Sequence, residues 1–279
     1  MLLYRVFKNG TKEFFSDLGK YMSLLKKQNL DGLNNIKREE IQLIYTMPKD
    51  LLKISPVLLI SMLPFTNYFI FPLAYYFPRQ LLTYHFWTLE QRANFMLLDH
   101  TKRFKHSRPL FYCMETKVNC INDIYLKRKW NGIIACLGSG GHPTTESVIS
   151  CGTLFENSPY SLEELGDKHM KELLGIHGLT IWRPFRRQRL IERGMLIKRM
   201  DDAIVKEGGI TNMSEESLSW VLSFRGLNPT NMSVQSMKDW LQQWIMLSAS
   251  VDNSKLSLLL HGPILLAYNH INNLKVLYK

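Results

Sequence analysis

Over residues 1–50 apolar and polar positions recur with a helical period. Leu18, Met22 and Leu25 share one face, and Lys20, Lys26 and Lys27 lie off it. The pattern predicts one or two amphipathic helices in a basic region, residues 1–53. It then gives way to an apolar run over residues 54–78, "ISPVLLISMLPFTNYFIFPLAYYFP", which contains no Asp, Glu, Lys, Arg or His. A bilayer crossing needs ~20 such residues. Lys53 and Arg79 flank the run, and its aromatic residues cluster toward the end, as at a membrane–water boundary. Pro56 and Pro78 stand at its ends, so Pro64 and Pro72 are the kinks, which membrane helices accommodate. The expectation is one proline-kinked transmembrane segment over 54–78, and the alternative is a buried helix pair in a soluble core.

From residue 79 to 279 the chain is polar with helical spacing and lacks strand alternation. Ser161 stands three residues before Glu164, a capping-box spacing, with Leu162, Leu165 and Leu173 along one face until Gly175. A longer helix runs from about Phe185 to Glu207 and stops at Gly208-Gly209. Ser214 caps "EESLSWVLSF", which ends at Arg225-Gly226. Ser233 precedes "VQSMKDWLQQWIML", with Val234, Met237, Leu241, Trp244 and Ile245 on its apolar side. The last segment, "SKLSLLLHGPILLAYN", reads as a buried helix broken near Pro263. The fold class is all-α: a membrane segment followed by a helical bundle.

Composition changes this picture little. Apolar residues are 46% and charged residues 21% of the 279, ordinary for a chain with a globular core. The net charge of +11 points to an anionic partner (nucleic acid, ribosome or lipid) or to residence in a basic compartment such as the mitochondrial matrix. Four cysteines, Cys113, Cys120, Cys136 and Cys151, with no C-x-x-C pair, read as reduced thiols. Residues 1–27 lack the apolar core of a secretory signal, and Glu13 and Asp17 set them apart from an acid-poor presequence.

Catalytic chemistry is not indicated. "CLGSGGHPTTES" lacks the G-K-[ST] of a phosphate loop and the G-x-S-x-G of a nucleophile elbow, and reads as a turn into a helix capped near Thr145. Cys136, His142 and Cys151 match no zinc spacing, no calcium loop occurs, and His169 reads as a packed core histidine. No metal or cofactor is expected. The informative charge feature is "WRPFRRQRLIERGMLIKRM", residues 182–200. It holds Arg183, Arg186, Arg187, Arg189, Arg193, Lys198 and Arg199 against the lone acid Glu192. Guanidinium forks bind phosphate bidentately, so this helix is the candidate RNA- or ribosome-binding surface; the bland alternative is a solvated basic face.

The run "LPF…FPLAYYFPRQLL" is followed in order by "LFENSPYSLEEL", "MDDAIVKEGG", "SLSWVLSFRGL" and "MKDWLQQWI". With these segments the chain resembles the LETM-domain family of mitochondrial membrane proteins over nearly its whole length. It is more similar to the family's short form in animals, lacking the coiled-coil and EF-hand regions of the long form. The resemblance implies a membrane anchor followed by a helical ribosome-binding-like domain, in the inner mitochondrial membrane with the domain facing the matrix, or alternatively in the outer membrane. It implies a non-enzymatic protein that associates with membrane lipid and with the mitochondrial ribosome (its RNA or protein). Other membrane proteins or a second copy are further partners. The roles implied are respiratory-chain biogenesis and organelle structure and homeostasis. One alternative is a part in cation/proton exchange, for which the apolar run offers only hydroxyls and Asn67. Another is a SAP-like nucleic-acid module, from the helix–R-G–turn–helix look of 217–245; its turn, Asn228 to Ser233, carries no lysine or arginine.

Overall fold

The computed structural model describes residues 2–31, 36–63 and 65–276. Regular structure among these residues is helical throughout. The chain divides into two compact units, Met1–Phe95 and Met96–Lys279.

The first unit contains α1 (Leu2–Asp31), α2 (Arg38–Ser61), α3 (Asn67–Tyr76), α4 (Pro78–Leu81), a 3-10 turn at Tyr84–Phe86, and the opening of α5 (Leu89–Phe104). Phe14, Met47, Ile54, Ala74, Leu82 and Phe86 form its core. The inner stripe of α1 runs through Phe14, Leu18 and Tyr21, the i, i+4, i+7 spacing of one helical face. Met22, expected on that face, is exposed. Gly10 lets α1 approach the 3-10 turn: a Cβ there would lie 2.6 Å from the His85 carbonyl oxygen. Asp17 accepts a hydrogen bond from the Tyr84 hydroxyl at 3.2 Å and faces His85 Nε2 at 3.3 Å.

The apolar run is not one helix. α2 carries it through Pro56 to Ser61, the chain turns, and α3 carries it back from Asn67 to Tyr76 with Pro72 inside. Phe65 in the turn takes φ = 67°, a left-handed conformation that costs an aromatic residue about 1–2 kcal/mol. Among the described residues no helix is long and apolar enough to cross a membrane. The expected span over 54–78 is therefore corrected to two arms joined by a turn. The reason is local: α2 spends its first two-thirds on the charged stretch before Ile54, and α3 has only 10 residues. Pro64, one of the expected kinks, lies outside the described residues.

The second unit takes in the rest of α5, then α6 (Ser107–Thr116), α7 (Ile124–Gly138), α8 (Thr145–Ser150), α9 (Thr153–Glu156) and α10 (Asp167–Ile176). These are followed by α11 (Arg186–Lys206), α12 (Glu215–Phe224), α13 (Val234–Ala249), α14 (Leu256–Ala267) and α15 (Ile271–Leu274). Side-chain caps set several starts. Asp123 accepts from Tyr125 N (2.8 Å) and Leu126 N (3.1 Å), Ser214 from Ser217 N (3.2 Å), and Ser233 from Ser236 N (3.1 Å). Thr144, beside the expected Thr145, caps α8. The capping box at Ser161 does not start a helix: Ser161–Glu164 is a turn, and α10 begins after Gly166. Leu165 points into the core, which holds this stretch as a loop.

The unit is organised around α14. Every residue of α14 is buried, and α6, α9, α10, α11 and α13 pack against it. A helix apolar all round belongs in an interior. Pro263 does not break it, contrary to the sequence expectation. An interior proline costs ~3 kcal/mol in an isolated helix, but here packing on all sides fixes the backbone. Two glycines admit the neighbours. A Cβ on Gly262 would stand 2.6 Å from the Trp244 ring, and one on Gly226 (φ = 90°) would stand 2.8 Å from Pro263 Cβ.

Candidate functional site

The basic segment forms the exposed lead-in and the first four turns of α11. Trp182 and Phe185 project into solvent, with Arg183 exposed between them. Phe185 opens the helix from φ = 60° and gives its first amides no side-chain cap. Beside it lies an open cleft of about 510 Å³ whose walls include Asp167, Met170, Phe185, Arg186, Arg187 and Ile191.

The seven basic residues divide sharply. Arg187, although exposed, donates to the Leu162 (2.9 Å) and Glu163 (3.0 Å) carbonyls. Arg189 donates to the Thr180 carbonyl at 2.7 Å, and Arg186 pairs with Asp167 at 3.3 Å. Lys198 donates to the Ser248 carbonyl at 3.0 Å and pairs with Asp202 at 2.9 Å. Arg193 is interior: its guanidinium lies 3.5 Å over the Phe224 ring and donates to the Phe224 carbonyl at 3.2 Å. Arg183 and Arg199 are exposed and stand at opposite ends of the segment. The structure thus gathers Arg183, Arg186, Arg187 and Arg189 at one helix start, sets Arg199 apart, and places Arg193 in the core. Asp167, through its pair with Arg186, offsets part of the positive charge that the linear sequence suggests.

Sequence reasoning missed a polar cluster in the interior. Asp201 of α11 takes Arg225 Nε at 3.1 Å and Arg225 Nη2 on Oδ1, and Trp244 Nε1 at 3.0 Å on Oδ2. Arg225 Nη1 donates to the Val221 carbonyl at 3.0 Å. The R-G pair thus turns inward, so the arginine of the SAP-like reading offers no charge to a nucleic-acid backbone. The turn after it is also pinned. Asn273 Oδ1 accepts from Asn228 N at 2.8 Å, and Asn272 Nδ2 donates to the Thr230 carbonyl at 2.9 Å. The available signal was Phe224 and Leu227 on either side of Arg225-Gly226, an apolar frame that argues against an exposed charge.

Four buried histidines complete the interior. His100 Nε2 bonds Asn273 Oδ1 at 3.0 Å, His177 Nε2 donates to the Leu260 carbonyl at 2.9 Å, and His169 Nε2 lies 2.7 Å from His261 Nε2. His261 Nδ1 donates to the Ser257 carbonyl, so its Nε2 is the acceptor and His169 Nε2 carries the shared proton. The Nδ1 atoms of His100, His169 and His177 then face the interior as bare lone pairs. Burial depresses all four below the ordinary histidine value, His100 and His177 to about 3. His169 is the packed core histidine its helical position predicts. Among the described residues no group of three or more His, Cys, Asp or Glu could hold a metal ion, and all four cysteines are free thiols.

The residues that meet at Asp201 come from "MDDAIVKEGG", "SLSWVLSFRGL" and "MKDWLQQWI", three of the segments that carry the sequence resemblance. A family model described as "LETM1-like, RBD" matches residues 36–265. The chain belongs to the LETM1-like family. Within it, LETM1 domain-containing protein 1 of Xenopus tropicalis is 30% identical over 278 residues, covering 98% of this chain and 79% of the relative. The Bos taurus protein of the same name is 30% identical over 277 residues (97% and 76%), and the Homo sapiens one is 29% identical over 275 (97% and 76%). No solved structure matches the chain. The LETM1-like match runs from just before α2 into α14, so it takes in the apolar arms, the basic segment and the Asp201 cluster together.

Proposed function

We propose that this LETM1-like protein is a non-enzymatic mitochondrial membrane protein whose second unit associates with the mitochondrial ribosome. Such a protein would support respiratory-chain biogenesis and organelle homeostasis. The supporting observation is the family match over residues 36–265, whose description carries the abbreviation for a ribosome-binding domain. The inner membrane with the helical domain toward the matrix is the proposed location, and the outer membrane the alternative. Arg183, Arg186, Arg187 and Arg189, with Trp182 and Phe185 between and beside them, supply guanidinium forks and aromatic faces suited to RNA. Lys198 and Arg199 extend that contact along α11, and Arg193 supports it from inside.

Because Arg187 and Arg189 also hold loop carbonyls, the test begins with the two exposed arginines at the ends of the segment, Arg183 and Arg199. Arg183→Glu combined with Arg199→Glu should weaken co-sedimentation of the full chain with mitochondrial ribosomes and leave the circular-dichroism spectrum unchanged. Wild-type association should fall as salt rises, because phosphate contacts release counterions. The triple change Arg186→Glu, Arg187→Glu and Arg189→Glu should abolish it. Association unaltered by both sets would remove α11 from the interface. Cation flux in reconstituted vesicles that survives both would put the exchange reading in its place.

A further inference from the structure

We infer that the two apolar arms and their turn form a hairpin that enters one leaflet of a membrane and leaves by the same face. This deepens the membrane localisation proposed above and is independent of ribosome association. One side of the hairpin is internal: Ile54, Val57, Ile70 and Ala74 are buried. The other side is unpartnered. Leu59, Met62, Phe65, Tyr68, Phe69 and Tyr76 are each between 66% and 82% exposed, an apolar surface of the kind that marks an interface.

Four observations select lipid as the occupant. Between Lys53 and Arg79 no charged side chain interrupts the surface. Cations sit at the base of the hairpin, Lys49 and Lys53 before the first arm on α2 and Arg79 after the second on α4, placed for anionic headgroups. Lys53 Nζ lies 4.4 Å over the Trp87 ring, a cation and an indole together at that boundary. Several polar groups at the turn are also satisfied locally. Thr66 Oγ1 donates to the Leu63 carbonyl at 2.7 Å and Ser61 Oγ to the Leu58 carbonyl at 2.8 Å. Met62 N and Leu63 N bond the Leu59 and Ile60 carbonyls. Hydrocarbon demands such internal satisfaction.

Length sets the depth. The 10 residues of α3 rise about 15 Å, half of a ~30 Å hydrocarbon core. The α2 arm from Ile54 to Ser61 is of similar length, so the chain goes in and returns. Residues before Ile54 and residues after Pro78 then lie on the same side of the membrane, where a single crossing would separate them.

The test uses the purified full chain added to preformed vesicles of phosphatidylcholine and phosphatidylglycerol. The wild type should float with the vesicles, and Phe65→Asn with Phe69→Asp should reduce the bound fraction at least about tenfold. Both positions are exposed, and asparagine suits the left-handed backbone at 65, so the circular-dichroism spectrum should not move. On floated protein a membrane-impermeant maleimide should label both the exposed Cys120 and a Lys26→Cys variant without detergent. A spin label at Phe69→Cys should be relaxed by oxygen and shielded from an aqueous nickel chelate. Labelling of one site only until detergent is added would mean a crossing and overturn the hairpin. Failure of the wild type to float, or a spin label exposed to nickel, would assign the surface to a protein partner. Loss of ribosome association alone would leave this inference standing.

Discussion

Arg225 and Asp201 form an interior ion pair, the guanidinium fully buried and the carboxylate nearly so. Every oxygen of Asp201 and every nitrogen of Arg225 has a partner. Such a pair is costly to halve and much less costly to replace whole. Asp201→Ala should lower the unfolding free energy of the full chain by ~3–5 kcal/mol, because Arg225 is left charged and unpaired. Adding Arg225→Met should recover part of that loss. Denaturant titrations of the two variants check it; a double variant less stable than the single would show that the pair itself stabilises the core.

Trp244 donates to the same carboxylate and packs its six-membered ring against Gly262. Trp244→Ala should cost ~3–5 kcal/mol, combining a cavity with a lost hydrogen bond. Trp244→Phe, which keeps most of the volume, should cost roughly 1–3 kcal/mol. Equal losses in the melting curves of the two variants would mean that packing contributes little here.

Acid should unfold the second unit early. Histidine near 6.5 in the unfolded chain takes up a proton that His100 and His177, held near 3, refuse, and the His169–His261 pair behaves in the same sense. Stability is therefore complete above about pH 7 and falls as pH drops below 6.5 toward the folded values, each group contributing up to ~1.4 kcal/mol per pH unit. Urea titrations at pH 7, 6 and 5 measure the slope. A flat profile between pH 7 and 5 would show that these imidazoles are reached by water.

Gly226 is the one residue that can take φ = 90° with Pro263 Cβ in the way. Gly226→Ala should cost roughly 2–4 kcal/mol, from the left-handed backbone together with overpacking. A melting temperature unchanged by this substitution would mean that α14 can shift away from the α12–α13 turn.

Arg193 separates support from contact. Arg193→Ala should lower the melting temperature, since the aliphatic stem, the Phe224 ring contact and the carbonyl bond go together. Ribosome association per folded molecule should stay the same at low temperature. A selective loss of association without loss of stability would return Arg193 to the interface.

Helices α11, α12 and α13 were legible in the sequence because each carries its own punctuation, Ser214 and Ser233 as caps and Gly208-Gly209 as a stop. The apolar run was misread because composition reports hydrophobicity and length but not direction, and one aromatic residue at φ = 67° reverses the chain. Pro263 was misread for the converse reason: a local helix breaker is overruled when every neighbour of α14 packs against it. The basic segment was legible as charge. Which arginines are free to act was not, because their carbonyl partners Leu162, Thr180 and Phe224 lie in other parts of the chain. Asp201–Arg225 spans 24 positions, and periodicity within a helix carries no trace of such a pairing.

The complete burial of α14 has a consequence for the order of events during synthesis. The helices from α6 to α13 emerge first, each with an apolar face whose partner has not yet been made. Until Leu256 to Ala267 arrives, those faces can meet only one another or a chaperone, and collapse at that stage builds the wrong core. A nascent chain halted between Ala249 and Leu256 would hold nearly all the secondary structure of the second unit and none of the strut it closes upon. Folding of the second unit is therefore gated by the arrival of Leu256 to Ala267, more than by the making of any earlier helix.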